Sequence, residues 1–133
     1  MCIRDSPTAI EEMLRWVSPI RNMARQATTD LELNGQQIRQ GEKLLLLYPS
    51  ANRDEAVFED PFRFDLRRTP NEHVAFGFGP HFCLGANLAR LELTIILDEM
   101  LDRLPTLELA DPTEPPYRAA NFVSCLLYTS RCV

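Results

Sequence analysis

Apolar residues near the start of the chain recur at helical spacing. Ile10, Met13, Leu14 and Val17 stand at i, i+3, i+4 and i+7, which predicts a helix from Pro7 to Val17. Proline suits its first turn, and Pro19 ends it. The pattern then changes. Thr28, Thr29, Leu31 and Leu33 read as a strand running into Asn34-Gly35, a strong hairpin signal. Ile38 marks the return strand, Gly41 a second turn, and Lys43 to Tyr48 a more buried strand. From Pro49 to Glu72 turn residues dominate, with Asn52, Asp54, Asp60-Pro61 and Thr69-Pro70 as punctuation. Irregular stretches of this length inside a compact unit are often functional. A second helix is predicted from about Leu84 to Leu104. Leu84, Leu88, Leu91 and Ile95 form one stripe, widened by Leu93, Ile96, Leu97, Met100, Leu101 and Leu104. Apolar residues so distributed predict burial over much of its circumference, up to a stop at Pro105. Thr106 to Ser124 reads as extended, proline-containing chain.

On the first helix, Glu12 and Arg15 lie away from the apolar stripe. Taken alone, they read as an exposed ion pair one turn apart. Arg63, Arg67 and Arg68 form a small basic group in the irregular stretch, read as a solvated face or as part of a docking surface for an acidic partner.

Length and charge narrow the function classes. The 133 residues suffice for one small core and not for two well-separated domains. A net charge of −5 argues against a nucleic-acid binder, which needs a basic face for phosphates. No apolar run approaches a membrane span, and the N-terminus lacks a signal-peptide pattern, so a cytoplasmic location is expected.

The two ends read differently from the middle. Met1 to Ser6 can be encoded by ATG TGT ATA AGA GAC AG plus one base. The reverse complement of that stretch, shifted by one base, encodes Cys-Leu-Leu-Tyr-Thr, the residues found from Cys125 to Thr129. An inverted repeat of coding DNA resembles a sequencing-library adapter. Residues 1–6 and 125–133 are therefore expected to be adapter-derived, with 7–124 as the native insert. Of the four cysteines, Cys2, Cys125 and Cys132 fall in those tails, leaving Cys83 alone. No CxxC pair is available for a zinc ribbon or a thioredoxin-type site.

Cys83 stands just before the second helix, after a loop containing Gly77, Gly79 and Pro80, with Gly85 following. A sulfur there faces the positive end of the helix dipole and unpaired backbone N–H groups, a setting suited to a thiolate ligand. Glycines let the backbone pass close to a bulky planar group, and the aromatic neighbours are expected to keep the sulfur dry. A buried structural cysteine is the plainer alternative. A zinc site from His73, His81 and Cys83 has neither a fourth obvious ligand nor zinc-like spacing.

The segment Phe76-Gly77-Phe78-Gly79-Pro80-His81-Phe82-Cys83-Leu84-Gly85 resembles the haem-binding loop of the cytochrome P450 family, F-x-x-G-x-x-x-C-x-G. The bacterial form FGxGxHxCLGxxLAR-x-E is met through Leu88-Ala89-Arg90 and Glu92. The resemblance covers about Pro7 to Ser124. It implies an α+β fragment of the mainly-α cytochrome P450 fold, with two main helices, a small antiparallel sheet, a long meander and the haem-binding loop. Cys83 becomes the axial ligand of haem b iron, with Phe76, Gly77, Gly79 and Gly85 shaping the loop. Arg25 and His81 stand where bacterial members place propionate-binding residues; for each alone, a solvated arginine and a loop histidine remain open. Glu12-Met13-Leu14-Arg15 is similar to the family's E-x-x-R, a buried pair bonded to the meander, which displaces the surface reading. Ala51 to Asp54, Phe58, Asp60-Pro61 and Phe64-Asp65 resemble that meander.

For the parent enzyme the resemblance implies monooxygenation of a hydrophobic small molecule, with O2 as co-substrate. Electrons would come from NAD(P)H through a ferredoxin and ferredoxin reductase. Asn22-Met23, the Glu42 to Tyr48 strand and Ala119 to Ser124 are most similar to actinobacterial members that oxidise steroid side chains. The family's central helix with its acid–alcohol pair is expected upstream of Pro7, no A/G-G-x-D/E-T run occurs in these residues, and the C-terminal hairpin is expected to be cut after Ser124. The chain alone is therefore expected to be inactive, to hold haem loosely, and to aggregate through its long helix. Two other classes stand beside this one: a non-catalytic haem-thiolate sensor, and a haem-free α+β interaction domain with a packed Cys83.

Overall fold

The computed structural model describes residues 7–104, 106, 120, 122 and 123. The tails 1–6 and 125–133, and most of the stretch from Thr106 to Ser124, lie outside the described residues. The elements are α1 (Pro7–Val17), β1 (Asn22–Gln26), β2 (Leu31–Leu33), β3 (Gln36–Ile38), β4 (Lys43–Leu47), a short α2 (Tyr48–Ala51) and α3 (Ala86–Arg103). No helix among the described residues is long and apolar enough to cross a membrane.

Helix α1 has the bounds its periodicity predicts. Its end is made by Ser18, which turns into the left-handed region at φ 43°. The Ser18 amide donates to Leu14 O at 2.9 Å, and its hydroxyl donates to Arg15 O at 2.8 Å. Two orphaned carbonyls are thereby satisfied one residue before Pro19.

The strands form two antiparallel pairs. β2 and β3 close around Asn34-Gly35, whose φ angles of 49° and 79° are those the tight hairpin demands. β4 pairs with β1, Asn22 opposite Leu47 and Gln26 opposite Lys43. β1 is not foreshadowed by the sequence pattern, and Thr28 and Thr29 lie in a bend rather than a strand. The expectation of burial for β4 also fails: Leu45 and Leu47 are more than half exposed. Among the described residues the apolar run has one strand beside it, and its faces stay open.

Helix α3 lacks the burial its periodicity predicts and has the bare apolar face expected of the chain alone. It starts two residues later than predicted and buries only Ala86. Leu88, Leu91, Ile95 and Ile96 are all more than half exposed. The periodicity correctly identifies an apolar surface, but no described element covers it.

The side chains most completely enclosed are polar: Arg15, Glu12, Asn52 and Ser18. Around them Ala9, Leu14, Phe58 and Ala75 form a small apolar shell. Arg53 closes one side, its guanidinium 5.0 Å from the Trp16 ring and donating to Trp16 O at 2.9 Å. The interior is thus organised by one polar knot joining α1 to the irregular stretch.

Candidate haem-thiolate site

The knot determines where the loop before α3 begins. Arg15 donates Nε to Glu12 Oε2 and Nη2 to Glu12 Oε1, each at 2.7 Å, with neither side chain exposed. Its remaining donors reach the carbonyls of Asn52 at 2.8 Å, Pro61 at 2.9 Å and Arg63 at 3.2 Å. Glu12 also accepts from the Asp65 amide at 2.9 Å, Arg68 Nε at 3.1 Å and Asn71 Nδ2 at 3.1 Å. Burial alone would raise the Glu12 pKa. The Arg15 hydrogen bond, the Asp65 amide and the charges of Arg15 and Arg68 outweigh it and hold it below its ordinary value. The pair is interior, so the surface reading of the two residues alone is wrong: the irregular stretch folds over that side of α1.

Asn52 carries the order onward. Its Nδ2 donates to Ser18 Oγ at 2.8 Å, and its Oδ1 accepts from the Val74 amide at 2.8 Å. Val74 O then accepts from the Gly77 amide at 2.8 Å, closing a turn in which Gly77 has φ 75°. A side chain at Gly77 would be strained by that angle and would meet His81 O and the Tyr48 hydroxyl at 3.5 Å. Gly79 also has positive φ and opens a single 3-10 turn through His81. The Cys83 amide donates back to Phe76 O at 2.9 Å, pinning the two ends of the loop together. The Phe76 and Phe82 rings meet edge-on at 6.4 Å.

At the end of this loop Cys83 is a free and exposed thiol. The expectation of an aromatic-shielded, dry sulfur is not met by the chain itself: Phe82 is 52% exposed, Phe78 86%, and Leu84 fully so. Within the described residues nothing packs over Cys83, so the plainer reading of a packed core cysteine gains no support from the chain itself. Arg25 and His81 are exposed as well, and Arg25's hydrogen bond is to the neighbouring Ala24 carbonyl at 3.0 Å. Among the described residues neither has an acidic partner. The donor set fits a planar iron porphyrin: one soft sulfur, two cation or hydrogen-bond donors for carboxylates, and bare apolar surface. His73 does not contribute. It is bonded to Glu11 at 3.0 Å, and among the described residues no three His, Cys, Asp or Glu side chains converge to hold a metal ion.

Arg68 was misread from sequence. Its side chain is 9% exposed, bonded to Glu12 and to the carbonyls of Glu59, Asp60 and Arg63. Arg63, 69% exposed beside Asp65, and the exposed Arg67 keep the solvated reading. The sequence shows no sign of Glu11 as a site residue, and it offers Asn52 only as meander and His73 only as a weak zinc ligand. Their roles depend on partners tens of residues away, a separation that no local pattern encodes. A cavity of about 350 Å³ opens in the meander beside Phe58, Asp60, Arg63, Arg67 and Pro70, and no residue from Phe76 to Gly85 lines it.

The family model for cytochrome P450 matches residues 7–126. A steroid C26-monooxygenase of Mycolicibacterium smegmatis is 58% identical over 118 residues, 89% of this chain and 29% of that protein. A methyl-branched lipid omega-hydroxylase of Mycobacterium tuberculosis is 50% identical over 119 residues, covering 89% of this chain and 27% of that protein. Among solved structures, a Mycobacterium marinum cytochrome P450 in complex with pseudoionone superposes with a TM-score of 0.85 at 48% identity. It covers 90% of this chain and 28% of that one. A Bacillus megaterium enzyme in complex with testosterone gives 0.86 at 42% identity, over 91% and 34%. The chain therefore spans under a third of the two named enzyme relatives it matches. Nearly all of its own length is matched by the family model, and the chain belongs to the cytochrome P450 family.

Proposed function

We propose that this chain supplies the thiolate side of a haem monooxygenase acting on a hydrophobic substrate, with Cys83 as the axial ligand of haem b iron. The observation carrying the reading is the exposed Cys83 thiol, held at the entrance to α3 by a loop whose ends are bonded to each other. Bound there, haem supplies an iron that takes up electrons and O2, while a thiolate ligand favours O–O cleavage. The chain's own residues hold and orient. Gly77 and Gly79 turn the loop, Cys83 presents its sulfur, and Arg25 and His81 are free to bind the two carboxylates. The exposed Phe78, Phe82 and Leu84 would offer apolar surface to the macrocycle and help keep water from the sulfur.

A steroid side chain is the substrate we assign, supported by the name of the 58% identical relative. Electrons would arrive from a ferredoxin and its reductase. The exposed Arg63 and Arg67 are suited to an acidic partner, whereas Arg68 is withdrawn into the knot. Turnover needs the rest of the enzyme, since these residues correspond to 29% of a monooxygenase relative. The isolated chain is accordingly inactive on this reading, and the location is cytoplasmic. The reading is tested by equilibrium binding of steroid ligands to the full-length protein, followed by the haem Soret shift. Saturable shifts with cholest-4-en-3-one and none with a straight-chain fatty acid support the steroid assignment; the reverse order overturns it.

A further inference from the structure

Glu11, next to the knot residue Glu12, faces a different set of partners. Its Oε1 accepts from Arg90 Nε at 2.6 Å and its Oε2 from Arg90 Nη2 at 2.8 Å, a two-point grip between α1 and α3. Oε2 also meets His73 Nε2 at 3.0 Å. The other ring nitrogen of His73 accepts the Ala75 amide at 3.2 Å, so Nε2 carries the proton and donates to Glu11. Above the grip, the Arg90 guanidinium lies 4.7 Å from the Phe76 ring centre. Phe76 is the residue whose carbonyl holds the Cys83 amide. Two routes therefore lead from one carboxylate to the backbone of the sulfur-bearing residue. One passes through Arg90 and the Phe76 ring, the other through His73 and the Ala75 amide.

We propose that Glu11 is a positioning residue for the Cys83 sulfur, acting through Arg90 and His73 on Phe76; this rests on the reading of Cys83 as the iron ligand. Glu11 and Arg90 retain 28% and 32% of their side-chain exposure, so solvent screens this pair more than the wholly enclosed Glu12–Arg15 pair, and its contribution to global stability is the smaller of the two. Their geometry, by contrast, joins both helices to the loop at the half-buried Phe76 ring. Glu12 anchors the meander and Glu11 orients the loop, so adjacent residues on α1 divide the two tasks.

The test uses the full-length haem-loaded protein with Glu11→Gln, Arg90→Gln, Arg90→Lys and Cys83→Ala variants. Two quantities are followed: decay of the thiolate-type Soret band of the reduced carbon monoxide complex, and the urea midpoint by circular dichroism. Glu11→Gln and Arg90→Gln are expected to lose the thiolate-type band roughly tenfold faster while the urea midpoint stays near that of the parent. Arg90→Lys keeps the charge without the fork and should fall between. If both Gln variants decay like the parent while Cys83→Ala lacks the band, the positioning role is wrong and the ligand reading stands. Band loss that only tracks a lowered urea midpoint also overturns positioning, because the grip is then structural. If Cys83→Ala keeps the band, the ligand reading itself fails and takes this proposal with it.

Discussion

Glu12 and Arg15, one turn apart on α1, form a doubly bonded ion pair from which solvent is wholly excluded. Such a pair is tolerated because every remaining donor of Arg15 ends on a main-chain carbonyl and Glu12 collects three further donors. The pair ties α1 to Asn52, Pro61, Arg63 and Asp65, residues spread over the irregular stretch that leads to the Cys83 loop.

Breaking this pair should cost more than any surface change. Arg15→Ala leaves three carbonyls without their donor and a buried carboxylate short of its main partner. The expected loss is about 3–5 kcal/mol. Urea titration of the full-length protein at constant m-value reads it directly. A loss below about 1 kcal/mol would mean the pair is not the organising contact.

Arg68 and Arg63 provide an internal control. Arg68→Ala removes charge-assisted bonds to Glu12 and three carbonyls and should destabilise by about 1.5–3 kcal/mol. Arg63→Ala, with a largely exposed side chain, should stay within about 0.5 kcal/mol. Equal melting temperatures for the two variants would contradict the inward placement of Arg68.

Acid should weaken the fold in two stages. His73 is held below its usual 6.5, mainly because burial disfavours the charged ring. Glu11, hydrogen-bonded by Arg90, and Glu12 are held below 4.5. Each lowered value means the unfolded chain binds protons more readily, so stability is complete above the unfolded value and lost as pH falls through the folded one. The His73 stage therefore begins below about pH 6.5 and the carboxylate stage below about pH 4.5. A His73→Gln variant should lose the upper stage and keep the lower one in a urea-midpoint profile against pH. A parent midpoint that rises on mild acidification would refute the sign.

Helix α1, the Asn34-Gly35 hairpin and the loop ending at Cys83 were legible because their signals are local: a 3.6-residue period, a turn dipeptide, a motif of fixed spacing. β1 was not, because Asn22 to Gln26 contains no alternation and is a strand only by virtue of its pairing with β4. Sequence spacing correctly placed Glu12 beside Arg15 but gave the wrong environment, which is supplied by residues from Asn52 to Asn71. The sulfur's exposure was equally illegible, since hydrophobic neighbours in sequence need not cover a side chain in space.

The bare stripe of α3 predicts that the 133-residue chain self-associates. Leu88, Leu91 and Ile95 present a contiguous helical face, each more than half exposed. Replacing Leu88 and Ile95 by Gln should reduce binding of a hydrophobic dye and light scattering of the isolated chain. Unchanged scattering would locate the sticky surface elsewhere.

The most direct measurement is the reduced carbon monoxide difference spectrum of the full-length protein beside its Cys83→Ala variant. The account predicts a Soret band at the position typical of thiolate-ligated haem in the parent, absent in the variant. Identical spectra, or a parent that retains no haem, would contradict Cys83 as the iron ligand and with it the monooxygenase reading.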